Sequence, residues 1–246
     1  MSSQTKGSAG PVPKELLEDL VAASHILAGQ GVLDAFGHVS VRHPADPNRY
    51  LLSRNLAPEL TTTADIVEYD LDSEPVDPKA PRGFLERYIH GEIYKARKDV
   101  GSVIHTHSPS VIPFGITNNP MRPVYHMSGF LGRGVPNYDI AKESGRMTDI
   151  LVREPVFGQQ LARVLADKPM ALMRGHGNVV VAGDVKVATY RAVYTEMNAR
   201  LQLQAMMAGG PIAFLDPREA LLTEATIESQ IHRPWDLWKA KLAHKG

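Results

Sequence analysis

The chain has 246 residues, and its 27 lysines and arginines balance 27 aspartates and glutamates. A neutral balance creates no long-range field to gather nucleic acid or an anionic membrane, so neither is expected as a partner. The absence of cysteine excludes disulfides, thiolate nucleophiles and cysteine-held metal, so any metal must rest on histidine and carboxylate.

Residues 1–13, "MSSQTKGSAGPVP", lack the apolar core of a signal peptide, and nowhere does an apolar run approach the roughly 20 residues of a membrane span. We therefore expect a flexible leader and a cytoplasmic protein. From residue 14 to 246 there is no repeat, no low-complexity tract and no linker, which predicts a single domain. Leu16, Leu17, Leu20, Val21, Ser24 and Leu27 recur at helical spacing between Lys14 and Gln30. "FGHVSVRH" and "RYLLS" read as a hairpin around "PADPN", and "DIVEYDLD" as a further strand. Helical period returns over 83–97, "GFLERYIHGEIYKAR", with Leu85, Tyr88, Ile89, Ile93 and Ala96 facing the core.

"SVIHTHSPS" follows. In a strand successive side chains alternate, so His105 and His107 share a face about 7 Å apart at the backbone, within reach of one ion. Ser108-Pro109 reads as an N-cap and first turn, which places the pair at the end of a strand just before a helix. Two solvated strand histidines are the plain alternative. "MALMRGHGNVVVAG" predicts two strands around a tight Gly-His-Gly turn, and Asp184 caps a long helix that stops at Gly209-Gly210-Pro211. Short turns between strand pairs rule out an all-parallel sheet, so the economical fold is a three-layer α/β/α domain. Trp235 and Trp238 are most simply packing residues.

Of the ten histidines, His25 lies inside a helix, His244 in the tail and His43 beside a proline, which leaves His176 as the best third ligand. Three histidines leave coordination positions open, as catalytic metal sites do. Glu86 shares the predicted helix face with His90 at i+4, so it reads as a ligand, a general acid/base, or simply half of a surface Glu-His pair.

"GHVSVR", "LERYIHGEIY", "VIHTHSP" and "RGHGNVVVAG" occur in an order and spacing that resemble the class II aldolase/adducin family. The resemblance implies a central, largely antiparallel sheet in the α/β/α fold, and a homotetramer with sites at subunit interfaces. It also implies one divalent ion on His105, His107 and His176, with Glu86 as the acid/base group. Zinc is the first choice of ion, and manganese, cobalt or iron are alternatives. Where sugar-phosphate aldolases of the family carry neutral phosphate donors, this chain has His38, "SRNLAP" and Phe84-Leu85. A phosphate is therefore not expected, and His38, Ser53 and Arg54 offer donors suited to a substrate carboxylate. His126 stands near the position from which family aldolases present a tyrosine to the neighbouring subunit, as a second proton donor. The sequence most resembles the branch of hydroxycarboxymuconic semialdehyde and 3,4-dihydroxyphthalate decarboxylases, implying a carboxy-lyase of aromatic compound catabolism. Three rivals stand beside it: an aldolase acting on a non-phosphorylated hydroxy-oxo acid, an iron-dependent oxygenase, and a non-catalytic adducin-like interaction module.

Overall fold

The structure, a computed structural model, describes residues 7–244. Of the leading segment, residues 1–6 lie outside the described residues. Residues 7–13 run without helix or strand, with the Ser8 hydroxyl and the Ala9 amide bonded to the Glu68 carboxylate at 2.6 and 2.9 Å.

Helix α1 (Lys14–Gly29) leads into the hairpin β1 (His38–Arg42) and β2 (Arg49–Ser53), then β3 (Ile66–Asp70), α2 (Tyr88–Ala96) and β4 (Ser102–Thr106). The short α3 (Ile112–Ile116), β5 (Asn137–Tyr138) and α4 (Ile140–Ser144) precede α5 (Pro155–Leu165), and β6 (Met170–Met173) and β7 (Gly177–Ala182) follow. Three helices close the chain: α6 (Val185–Ala208), α7 (Pro217–Glu228) and α8 (His232–Ala243).

The strands form one seven-stranded sheet in the order β3-β2-β1-β4-β7-β6-β5. Every neighbouring pair is antiparallel except β5 with β6. Strand alternation assigns its two faces to two cores. Ile104 and Val180 pack with α1, α6 and α8, whereas their neighbours Val103, Val179 and Val181 pack with α2 and α5. The sheet is thus the middle of three layers. Each fully buried aliphatic side chain of this kind contributes about 1.5–3 kcal/mol. Trp235 and Trp238 of α8 are buried in the first of these cores. No helix among the described residues is long and apolar enough to cross a membrane.

Two local expectations are corrected. The helix predicted over 83–97 begins only at Tyr88, because residues 84–87 have partners that a helix would deny them. Phe84 and Glu86 turn inward while the Arg87 guanidinium bonds the Ser73 and Phe84 carbonyls at 2.7 and 3.2 Å. Leu85 is accordingly 46% exposed, and Ala96 is exposed as well. Ser108 does not cap a helix either. Its carbonyl closes a turn by accepting the Val111 and Ile112 amides, the Ser110 hydroxyl and amide are held by Glu196, and α3 starts at Ile112.

Candidate functional site

Strand β4 lies at the centre of the sheet, with His105 opposite His38 of β1 and Val179 of β7. Strand β4 stops at Thr106, so His107 lies just beyond it rather than sharing a strand face with His105 as expected, and the turn between β6 and β7 presents His176 to the same point. This convergence needs unusually close backbone packing. A Cβ at Gly177 would stand 2.0 Å from the Thr106 carbonyl oxygen, so glycine alone lets the turn lie against the end of β4.

The Nε2 atom of His107 lies 3.2 Å from that of His105 and 3.1 Å from that of His176. Glu86 Oε2 is 3.6 Å from His105 Nε2 and 3.4 Å from His176 Nε2. The four ligand atoms all lie within 4.8 Å of one another. Backbone carbonyls orient two of the rings: His105 Nδ1 donates to the Asn178 carbonyl at 3.2 Å and His176 Nδ1 to the Ile150 carbonyl at 3.1 Å. Ile150 holds this position at φ 59°, a costly conformation for a β-branched residue. Two residues on, the Val152 amide donates to Glu86 Oε1 at 2.9 Å, so one short strap steadies both His176 and Glu86.

These residues fit a metal. With their Nδ1 atoms directed at carbonyls, His105 and His176 turn Nε2 toward His107, an arrangement suited to a cation between them. A tetrahedral ion with nitrogen ligands at about 2.0–2.1 Å holds them about 3.3 Å apart, close to the spacing found. Burial, reinforced by the neighbouring His105 and His176, pushes the His107 ring down to about 4, so it stands neutral and ready to ligate at physiological pH. For Glu86, burial opposes ionisation, but the adjacent imidazoles of His105 and His176 outweigh it and hold the carboxyl well below its usual range.

A pocket of about 540 Å³ opens beside the cluster. Glu86 and His107 reach it from the metal side, Phe36, Leu56, Phe84, Leu85 and Leu151 give it apolar walls, and Asn55 and Arg82 supply polar groups. His38 lines it too, its ring 4.5 Å from Phe84 and 5.2 Å from His105 between centroids. Behind it runs a buried chain: His38 Nδ1 meets His90 Nε2 at 2.6 Å, His90 Nδ1 meets Ser40 Oγ at 2.6 Å, and Ser40 Oγ meets the Tyr94 hydroxyl at 2.8 Å. The surface Glu86–His90 pair is therefore not formed.

The other expected residues lie elsewhere. Ser53 and Arg54 are not among the residues lining the pocket; Ser53 pairs with Ile66 inside the sheet, and Arg54 Nε is bonded to Asp65 Oδ1 at 2.7 Å. Arg54 is thus spent on its own loop. His126 is exposed and lines a separate cavity of about 420 Å³ with Tyr190, Tyr194, Gln230 and Arg233. Within one chain it does not meet the histidine–glutamate cluster. Sequence reasoning missed Phe36, Asn55, Arg82 and the 150–152 strap. Phe36 could have been found from its place beside the Gly37-His38 motif, whereas the strap acts through backbone atoms and leaves no side-chain signature.

Residues 18–203 match the family described as Class II Aldolase and Adducin N-terminal domain, and the chain belongs to it. It is 39% identical to the decarboxylase tropJ of Talaromyces stipitatus, covering 92% of this chain and 93% of that protein. It is also 31% identical to a 3,4-dihydroxyphthalate decarboxylase of a Terrabacter species, over 81% of this chain and 84% of the relative. Among solved structures, an aldolase II superfamily protein from Pseudomonas syringae superposes with a TM-score of 0.80 at 22% identity, over 96% of this chain and 95% of that one.

Proposed function

We propose that this protein is a metal-dependent decarboxylase of a hydroxylated aromatic or ring-cleavage acid, in the reaction class of 3,4-dihydroxyphthalate or hydroxycarboxymuconic semialdehyde decarboxylation. One observation carries the reading: a three-histidine, one-carboxylate cluster opens directly onto a pocket with apolar walls. Similarity to two relatives named as decarboxylases supports it. His105, His107 and His176 hold the ion, with zinc the choice best matched to this nitrogen and oxygen donor set. When bound, the ion supplies positive charge beside the electron pair that carbon dioxide leaves behind.

The chain's own groups do the rest. Val152 fixes one oxygen of Glu86 and leaves Oε2 facing the centre, placed to take a proton from a substrate hydroxyl and return it to the carbon that loses the carboxylate. Apolar walls from Phe36, Phe84 and Leu151 would shield that carbon from water. In the homotetramer we propose, His126 faces a neighbouring subunit's site. Light scattering that finds four chains, and a kcat loss in His126→Ala without metal loss, are the expected results.

The deciding assay offers 3,4-dihydroxyphthalate and hydroxycarboxymuconic semialdehyde to the metal-loaded protein beside fuculose and ribulose phosphates. We expect carbon dioxide from an acid and no cleavage of the phosphates. Aldehyde release, or oxygen consumption with iron bound, would replace the reading by an aldolase or an oxygenase. Inactivity with no bound metal would favour an adducin-like module.

A further inference from the structure

Arg82 alone among the residues lining the pocket carries a permanent positive charge. It sits in the loop before Phe84, with its backbone carbonyl accepting the Asn55 amide at 2.9 Å. Its guanidinium makes no hydrogen bond or ion pair with the described residues, in contrast to Arg54 on Asp65 and Arg87 on Ser73. A planar fork with no protein partner among the described residues, at the edge of this pocket, is suited to a carboxylate, which it can grip through two parallel hydrogen bonds.

The reaction limits which carboxylate that can be. In decarboxylation the carbon–carboxylate bond breaks, its electron pair stays on the ring carbon, carbon dioxide leaves uncharged, and the proton goes from Glu86 to that carbon. An arginine on the departing group would stabilise the charged ground state more than the transition state and so slow the step. The departing carboxylate belongs against the apolar walls, and the arginine belongs on one that stays. Resting on the decarboxylase reading above, we propose that Arg82 anchors a second, retained carboxylate, so that the preferred substrate is a planar hydroxylated ring bearing two acid groups. Arg82 is then the specificity-determining residue, in the place that sequence alone gave to Arg54.

The test compares 3,4-dihydroxyphthalate with 2,3-dihydroxybenzoate, which keeps the departing carboxylate and both hydroxyls and lacks only the retained acid. Calorimetric binding of each to the metal-loaded wild type, Arg82→Ala and Arg82→Lys gives a diacid-to-monoacid preference for each protein. Arg82 is exposed and its side chain supports no neighbour, so these variants should fold. We expect the wild-type preference to shrink about 10- to 150-fold in Arg82→Ala, the worth of a hydrogen-bonded charge pair, and to be partly restored in Arg82→Lys. No diacid preference in the wild type, or its survival in Arg82→Ala, overturns the assignment. Carbon dioxide release by the wild type is scored separately, so a failed decarboxylase reading is distinguishable from a failed anchor.

Discussion

His105, His107 and His176 differ in how firmly the backbone holds them. Carbonyls of Asn178 and Ile150 fix the rings of the first and last, and the pocket side is left to His107. Replacing any one by alanine should strip the metal and abolish turnover while leaving the circular dichroism of the fold intact. Full metal content in two of the three variants, measured by atomic emission, would refute the ligand set. Glu86→Gln keeps the shape and the bond from Val152 but removes basicity, so kcat should fall on the order of 10²-fold or more with metal retained. A near-normal rate in that variant would reduce Glu86 to a structural group. Glu86 and His90 also show where spacing misleads. The i+4 interval suggests a helical pair, yet the helix starts two residues after Glu86, and the two side chains serve different networks.

At the scale of elements, the site depends on turns that bring backbone into contact. Gly37, at φ +86°, leads into β1, and a Cβ there would stand 2.5 Å from Leu33 and 2.8 Å from the His105 carbonyl oxygen. Gly37→Ala should therefore destabilise the fold by about 1–3 kcal/mol and weaken metal binding by displacing β4. Gly29→Ala serves as the contrast, since it lies in α1 with open space around it and should be neutral or stabilising by up to about 1 kcal/mol. Urea melts of the two variants would check the difference. The hairpin, the strand that carries His105, the β6–β7 turn and α6 behind Asp184 were all legible in the sequence, because period and capping chemistry are local. The delayed start of α2 was not legible. It is set by Arg87 reaching Ser73 and by Glu86 reaching Val152, partners distant in sequence.

For the whole molecule, the candidate metal cluster joins parts that are far apart along the chain: Glu86 before α2, the end of β4, and the turn into β7. An ion that binds only the assembled site stabilises the fold by mass action, by about 4 kcal/mol at a thousand times its Kd. For a chain of this length each kcal/mol corresponds to about 2–4 °C, so chelation should lower Tm by about 8–16 °C, and zinc or cobalt should restore it. An unchanged Tm after verified metal removal would mean that the cluster contributes little to folding.

The sequence by itself determined the alternation of helices and strands, the mixed sheet, the exclusion of cysteine chemistry, and a short set of histidines able to meet at one point. Those properties follow from periodicity, composition and turn-forming residues, which act over a few positions. Tertiary structure decided which donors line the pocket. Arg54 and Arg82 are both arginines in loops near the site, and nothing local separates them. Packing gives Arg54 an aspartate partner and leaves Arg82 at the pocket with no partner among the described residues. The strap through Ile150 and Val152 was likewise decided only by the fold, because it works through a carbonyl and an amide that every residue possesses.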